Sequence, residues 1–269
     1  MNLIKKAFTA FIKILKNPWL LNHVINSDEE QKKWFEEKYG VGKKLKVIDL
    51  LTLFPDFEET VVPFSFAEGG STPLDLALLR KVCKRNIDTT YFEIGTWRGE
   101  SVANVSPLVD KAFTLNLADE DLLKLNLPKE YVSQHRLFSK DLKNVTHLFG
   151  NSSSFDFAKY YRSCDVVFVD GDHHYEAVKK DTENAFKLLR NEKSVIVWHD
   201  YGNTPADVRY DVLNGIMDGT PKEFRNKLYR VSNTLCAIFI QDEIIAIEDT
   251  DNRVPNKVFE INLKAKSIS

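Results

Sequence analysis

From Thr89 to about Ile240 the chain alternates short apolar, β-branched runs with amphipathic stretches. That alternation confines it to a largely parallel sheet with helices on both faces. Strand-like runs fall at Thr90–Ile94, Ala112–Leu117, Thr146–Phe149, Val166–Val169 and Ser194–Trp198. Two more, Leu228–Val231 and Cys236–Ile240, flank the turn Ser232-Asn233-Thr234. Their closeness suits a hairpin, which makes one edge antiparallel. The clearest helix runs over Tyr175–Arg190, where Val178, Thr182, Ala185 and Leu189 form a stripe with Phe186 and Leu188 beside it. Asp181, inside that helix, is expected to be solvated. The expected class is α/β: a doubly wound, mostly parallel sheet.

Length permits one such domain and an extension. The 269 residues divide into an N-terminal helical and β extension over 1–66, a core domain over 67–249 and a weakly specified tail over 250–269. In the extension, a helix is expected from Ser27 to Lys38, with Ser27 and Glu30 at capping-box spacing. Two β-leaning runs follow, Leu45–Phe54 and Val61–Phe66. Thr72 as N-cap, Pro73 at the first helical position and Asp75 at the third then announce a helix to about Lys84.

The first residues form a separate pattern. Ile4, Phe8, Phe11 and Leu15 recur at spacings of four, three and four, while Lys5, Lys6, Lys13 and Lys16 cluster opposite, and no acidic residue precedes Asp28. Docking on its own domain or on a partner subunit is the commoner fate of such a helix. A peripheral contact with an anionic membrane through residues 3–15 is the other. The segment lacks the small residues near a cleavage site that a signal peptide needs. No apolar run approaches the ~20 residues of a membrane span.

Formal net charge is -2, which leaves no basic footprint for nucleic acid. The three cysteines, Cys83, Cys164 and Cys236, are scattered and odd in number, without metal spacing, and fit a reducing, cytoplasmic setting. Cys164 and Cys236 lie in apolar runs and are expected to be buried. A homo-oligomer is left open.

The chemistry concentrates after the strand Tyr91-Phe92-Glu93-Ile94. Gly95 and Gly99 bracket Thr96-Trp97-Arg98, and a helix begins near Glu100. Glycine is required where backbone turns sharply beside a ligand, and the helix start adds unpaired amide donors. The spacing Glu-x-Gly-x-x-x-Gly is not the dinucleotide fingerprint, so a nicotinamide-dependent oxidoreductase is disfavoured.

With this turn, two further blocks resemble the class I S-adenosylmethionine-dependent methyltransferases. More narrowly, they resemble the family 24-like group related to macrocin O-methyltransferase and cephalosporin hydroxylase-type proteins. The blocks are Phe168-Val169-Asp170-Gly171-Asp172-His173-His174-Tyr175 and Ile196-Val197-Trp198-His199-Asp200-Tyr201-Gly202, each at the carboxyl end of a strand, where open α/β sheets bind ligands. The resemblance covers residues 70–240 and implies a seven-stranded Rossmann-like sheet with its last strand antiparallel. It implies S-adenosylmethionine as cofactor, cradled by Gly95, Thr96, Trp97 and Gly99, with Glu93 orienting its ammonium end. Asn116 takes the place of the acidic residue that usually holds the ribose hydroxyls, and Asn151-Ser152 the place of the Asp-Ser that meets adenine. Asp170 belongs to the same set. Amides lose the charge-assisted grip on a diol, and Asp119 could restore it if its loop bends back. These amides are also what would mark a non-catalytic or degenerate cofactor-fold protein.

The resemblance further implies methyl transfer to a hydroxyl of a small-molecule or glycan acceptor. Relatives that bind a divalent metal place carboxylates where this chain has Asp170, His199 and Asp200, and a histidine there suits Mn²⁺, Fe²⁺ or Zn²⁺ better than Mg²⁺. Without a metal, His199 or His173 is the expected general base. Asp172 is either a third catalytic group or the cap of the helix near Tyr175. Residues 68–73, Trp97 and Tyr201 are expected near the acceptor entrance.

Overall fold

The computed structural model describes residues 3–18, 28–67, 69–249 and 254–268. Eight strands form one sheet: β1 (Lys46–Ile48), β2 (Thr90–Ile94), β3 (Lys111–Asn116), β4 (Val145–Phe149), β5 (Val166–Val169), β6 (Val195–Trp198), β7 (Leu228–Val231) and β8 (Ala237–Phe239). Their spatial order is β1-β7-β8-β6-β5-β2-β3-β4. Only β8 runs against its neighbours, slotted antiparallel between β6 and β7. The Rossmann-like sheet and terminal hairpin of the sequence reading are present. The strand number rises from seven to eight because β1, supplied by the extension, pairs in parallel with β7.

Helices sandwich the sheet, as near-continuous apolar strands demand. One face packs against α2 (Glu29–Tyr39), α8 (Tyr175–Leu188) and α9 (Tyr210–Gly219), with Phe35, Val178, Ala185, Leu213, Ile216 and Trp198 among its buried residues. The other carries α3 (Leu50–Leu53), α4 (Pro73–Cys83) and α5 (Glu100–Val105), burying Leu50, Leu76, Leu79, Val82, Val102 and Val105. Two short helices, α6 (Asp119–Lys124) and α7 (Lys129–Val132), lie between β3 and β4. All three cysteines are buried and free.

Local rules explain the starts of the helices. In α4 the Thr72 hydroxyl accepts from the Asp75 N–H while the Asp75 carboxylate accepts from the Thr72 N–H, a reciprocal capping box with Pro73 in the first turn. α2 starts after Asp28, and the expected cap Ser27 lies outside the described residues. The run Leu45–Phe54 is not one strand: Asp49 caps a helical turn by accepting from the Leu51 N–H, which cuts the strand after Ile48.

The expected strand at Val61–Phe66 does not form. Its backbone bonds instead to side chains of α5. The Val62 N–H donates to Asn104 Oδ1, the Ser65 N–H to Glu100 Oε1, and Asn104 Nδ2 donates to the Pro63 carbonyl. With its polar groups satisfied there, the segment needs no ladder partner.

The N-terminal α1 (Leu3–Lys16) buries none of its residues, so docking on its own domain is not what this structure shows. No described helix is long and apolar enough to cross a membrane.

Candidate active site

β2 ends in a fully buried carboxylate. Glu93 accepts from the hydroxyls of Tyr91 (2.8 Å) and Thr114 (2.8 Å), with Ser101 a further donor. Burial pushes its pKa up to about 7, against the pull of those hydroxyls. Glu93 therefore ties β2, β3 and α5 together beneath the turn, and its carboxylate does not open into the crevice.

The glycines of the turn answer to neighbouring protein. Gly95 has φ +97°, and a Cβ there would lie 2.0 Å from the Asp170 carbonyl oxygen. Gly99 has φ +79°, and its Cβ would lie 2.2 Å from Ser139 Oγ. Side chains at either position would push the turn off β5 or off the 131–139 stretch. That stretch straps the turn from outside: the Arg136 N–H donates to the Trp97 carbonyl and the Phe138 N–H to that of Arg98. Trp97, at φ +44°, packs tilted against Tyr131 with centroids 3.9 Å apart and meets His135 edge-on. Asn116 sits between, its Oδ1 3.5 Å from the Thr96 N–H and its Nδ2 3.2 Å from His135 Nδ1. Tyr131, His135 and Arg136 had no sequence signature, because they occupy the least periodic part of the domain.

Among the other expected cofactor residues, Asn151 is exposed and folds back on itself, Oδ1 accepting from Ser153. Ser152 is half-buried beside Asp181. Asp119 is engaged by Arg136 at 2.7 Å. The expectation of a solvated Asp181 is overturned. It is 1% exposed, burial lifts it to about 6, and neither oxygen has an aligned partner. It follows Val178 by three positions and precedes Ala185 by four, so the apolar stripe carries it inward.

At the ends of β5 and β6 three expected residues converge. His199, Asp170 and Asp200 each offer a ligand atom, all within 4.8 Å of one another. His199 Nδ1 stands 3.1 Å from Asp170 Oδ1 and 3.4 Å from Asp200 Oδ2, yet it is buried and aligned for a hydrogen bond with neither. Asp200 adopts φ +53°, a strained conformation of the kind that gathers at functional corners. His173 joins from the α8 side, Nε2 3.1 Å from Asp200 Oδ2.

Behind His199 lies a residue that sequence reading placed only in a helix cap. Asp75 Oδ2 is 3.2 Å from His199 Nε2 and also accepts from the Thr72 N–H, while Oδ1 accepts from the Leu235 N–H. Asp75 is fully buried. Burial alone would push the His199 imidazole down, but Asp170, Asp200 and Asp75 outweigh it and hold the ring well above the usual histidine range. Burial likewise works against the charge of Asp200, but His199, His173 and Arg209 bring it down to about 2.

Protonated, the ring has no lone pair with which to take a proton; a cation between the two carboxylates would displace that proton and take Nδ1 as its ligand. Asp172 is not in the corner. It is largely exposed, accepts from the His174 N–H and contacts the His174 ring, and it does not cap α8, whose N-cap is His174. Tyr201 points the other way: fully buried under Arg230, its hydroxyl accepts from the Leu45 N–H. Of residues 68–73, Glu68 lies outside the described residues, while Gly69 and Gly70 are exposed, Gly69 beside Trp97 and Gly70 beside Arg98 and Glu100.

A buried imidazole nitrogen without an aligned partner, facing two carboxylates, is a donor set that fits a divalent cation. One nitrogen and two oxygens favour Mn²⁺ or Fe²⁺ over Mg²⁺. The turn at Gly95 and the Asn116 side chain, at the carboxyl end of β3, lie on the same sheet edge as this corner, where open α/β sheets take their ligands.

Residues 92–201 match a family model described as a methyltransferase domain. The matched segment begins on β2 and ends immediately after the His199–Asp200 corner. Among solved structures, the chain is similar to the YcgJ protein from Bacillus subtilis, with 16% identity over 47% of this chain and 50% of that one (TM-score 0.34). It is similar to the spermidine synthase of Thermotoga maritima, with 14% identity over 64% and 60% (TM-score 0.41). It is also similar to CalS11, a TDP-rhamnose 3'-O-methyltransferase of calicheamicin biosynthesis, with 14% identity over 63% and 78% (TM-score 0.44). The chain thus spans about half the length of the first of these. No curated protein matches it.

Proposed function

We propose that this chain, whose residues 92–201 match a methyltransferase-domain model, is a class I methyltransferase that methylates a hydroxyl oxygen of a small molecule or glycan, with the Asp170–His199–Asp200 corner organising the acceptor. The observation that carries this reading is the buried His199 Nδ1, unaligned with any partner and set between two carboxylates at the end of the strand beside β5. S-adenosylmethionine supplies an electrophilic methyl group on a sulfonium. A divalent cation held by Asp170, His199 and Asp200 would acidify and orient a bound hydroxyl.

The chain's own residues do the rest. Asp75 accepts from His199 Nε2–H, which fixes the ring and leaves Nδ1 turned to the corner. Trp97, Tyr131 and His135 form an aromatic wall on the turn side, which restricts water. His173, half-exposed and braced by Asp200, is the group positioned to receive the acceptor's proton as the methyl group is transferred. Asn116 offers an amide to the ribose hydroxyls in place of a carboxylate, a weaker but serviceable grip.

Calorimetry with S-adenosylhomocysteine, with and without Mn²⁺, tests the reading. Binding heat for the nucleoside product, and a separate Mn²⁺ isotherm lost in His199→Ala, are expected. A folded sample with no heat and no thermal shift at millimolar S-adenosylhomocysteine would sink it.

A further inference from the structure

α1 carries its apolar side chains largely exposed among the described residues. Ile4, Phe8, Phe11 and Leu15 are 77%, 65%, 57% and 64% exposed, and no residue of the helix is buried. Free in water, that stripe would be a standing cost, so it has a partner elsewhere.

The distribution of side chains identifies the partner's chemistry. At about 100° per residue, Leu3, Ile4, Ala7, Phe8, Ala10, Phe11, Ile12, Ile14 and Leu15 fill roughly 200° of the helix surface. The remaining arc holds Lys5, Lys6, Lys13 and Lys16 with Thr9 alone. The helix has no acidic residue, and none precedes Asp28 in the sequence. A protein groove that took the apolar face would leave the four lysines to water alone, and a second copy of the helix would bring four more charges of the same sign. An anionic bilayer answers both faces at once: acyl chains take the Phe and Leu side chains, and headgroup phosphates take the ammonium groups flanking them.

Length sets the orientation. Fourteen residues make a rod of about 21 Å, short of the ~30 Å hydrocarbon core, so the helix lies in the plane of the interface and does not cross it. Phe11 lies at the centre of the apolar arc and Phe8 about 60° to one side, and these two rings are the bulkiest groups on it.

We propose that α1 is an in-plane anchor that holds this enzyme on membranes rich in anionic lipid. The anchor is independent of the methyltransferase reading, since no residue of the candidate active site belongs to it.

Co-sedimentation of the full chain with phosphatidylcholine vesicles, with and without phosphatidylglycerol, tests the proposal. Four lysines at about 1 kcal/mol each predict affinity for the anionic vesicles on the order of a thousandfold above the neutral ones, falling as salt is raised. Phe8→Glu/Phe11→Glu should abolish binding even to anionic vesicles, and Lys5→Gln/Lys6→Gln/Lys13→Gln/Lys16→Gln should erase the lipid preference. Unchanged thermal melting of both variants shows that the domain is intact. Equal binding to both vesicle types, no binding to either, or binding indifferent to the Phe pair would overturn it. So would sedimentation velocity showing a dimer that the Phe variant dissolves while vesicles capture nothing.

Discussion

Replacing Asp75 by asparagine isolates the link between the α4 cap and the His199 corner. The carboxylate accepts on both sides: Oδ1 from the Leu235 N–H at 2.8 Å, Oδ2 from the Thr72 N–H at 2.7 Å and from His199 Nε2 at 3.2 Å. An amide offers one acceptor oxygen and one NH2, so either orientation sets NH2 against a buried backbone N–H. Leaving that donor unmet costs about 1–3 kcal/mol, a fall in Tm of about 2–4 °C per kcal/mol for a domain of this size. If NH2 faces Oδ2's partners, His199 must accept through Nε2, which puts its proton on Nδ1 and removes the lone pair from the corner. Loss of such an orienting carboxylate weakens metal affinity about 10–100-fold. The assay is a Mn²⁺ titration by calorimetry alongside thermal melting, on Asp75→Asn and the wild type. A variant that melts lower yet binds Mn²⁺ with wild-type affinity would refute the claim that Asp75 sets the His199 tautomer. One that melts at the wild-type temperature would refute the accounting of its acceptors.

Gly95→Ala should destabilise the fold by about 2–5 kcal/mol, since it combines a φ of +97° with a Cβ placed 2.0 Å from the Asp170 carbonyl oxygen; urea denaturation reads this directly, and a loss under about 1 kcal/mol would mean the turn and β5 can separate freely. Glu93 has an ordinary pKa of 4.5 and a folded value of about 7, so between those pH values the unfolded chain has already lost the proton that the folded chain keeps. Stability from this group is therefore undiminished below pH 4.5 and falls by about 3 kcal/mol as pH rises to 7. Glu93→Gln should flatten that slope, gaining on the wild type between pH 5 and pH 8 in denaturant titrations, and parallel pH profiles would contradict it.

Much of the fold was legible because strands and helices here follow their own periodicities. Thr90–Ile94, Val166–Val169 and Leu228–Val231 are bounded as their apolar runs predict, and the Thr72-Pro73-Asp75 start of α4 is a matter of local chemistry. β1 was harder, since its three residues are hidden in a longer β-leaning run that Asp49 interrupts. The corner was legible as a list: Asp170, His173, His199 and Asp200 all end up together. What was not legible is what faces them. Asp75 reaches His199 across 124 positions, and no local pattern announces such a contact. The Trp97–Tyr131–His135 wall depends on how an irregular connection folds back on the turn. Asp181 is different, because its place in the Val178–Ala185–Leu188 stripe could have been read beforehand, had charge not been taken as a guarantee of solvent.

The pairing of β1 with β7 has a consequence for how the protein is made. Leu50, just past β1, donates its N–H to Ser232, just past β7, across 182 residues of sequence. At about 5–20 residues per second of synthesis, the segment carrying β1 leaves the ribosome roughly 10–35 s before its partner exists. During that interval the rest of the sheet can assemble from β2 to β6, but the first strand must wait with its edge unclaimed. Closure of the sheet is thus a late event, and a nascent chain stalled before β7 would hold a nearly complete active-site edge on a domain that is not yet sealed.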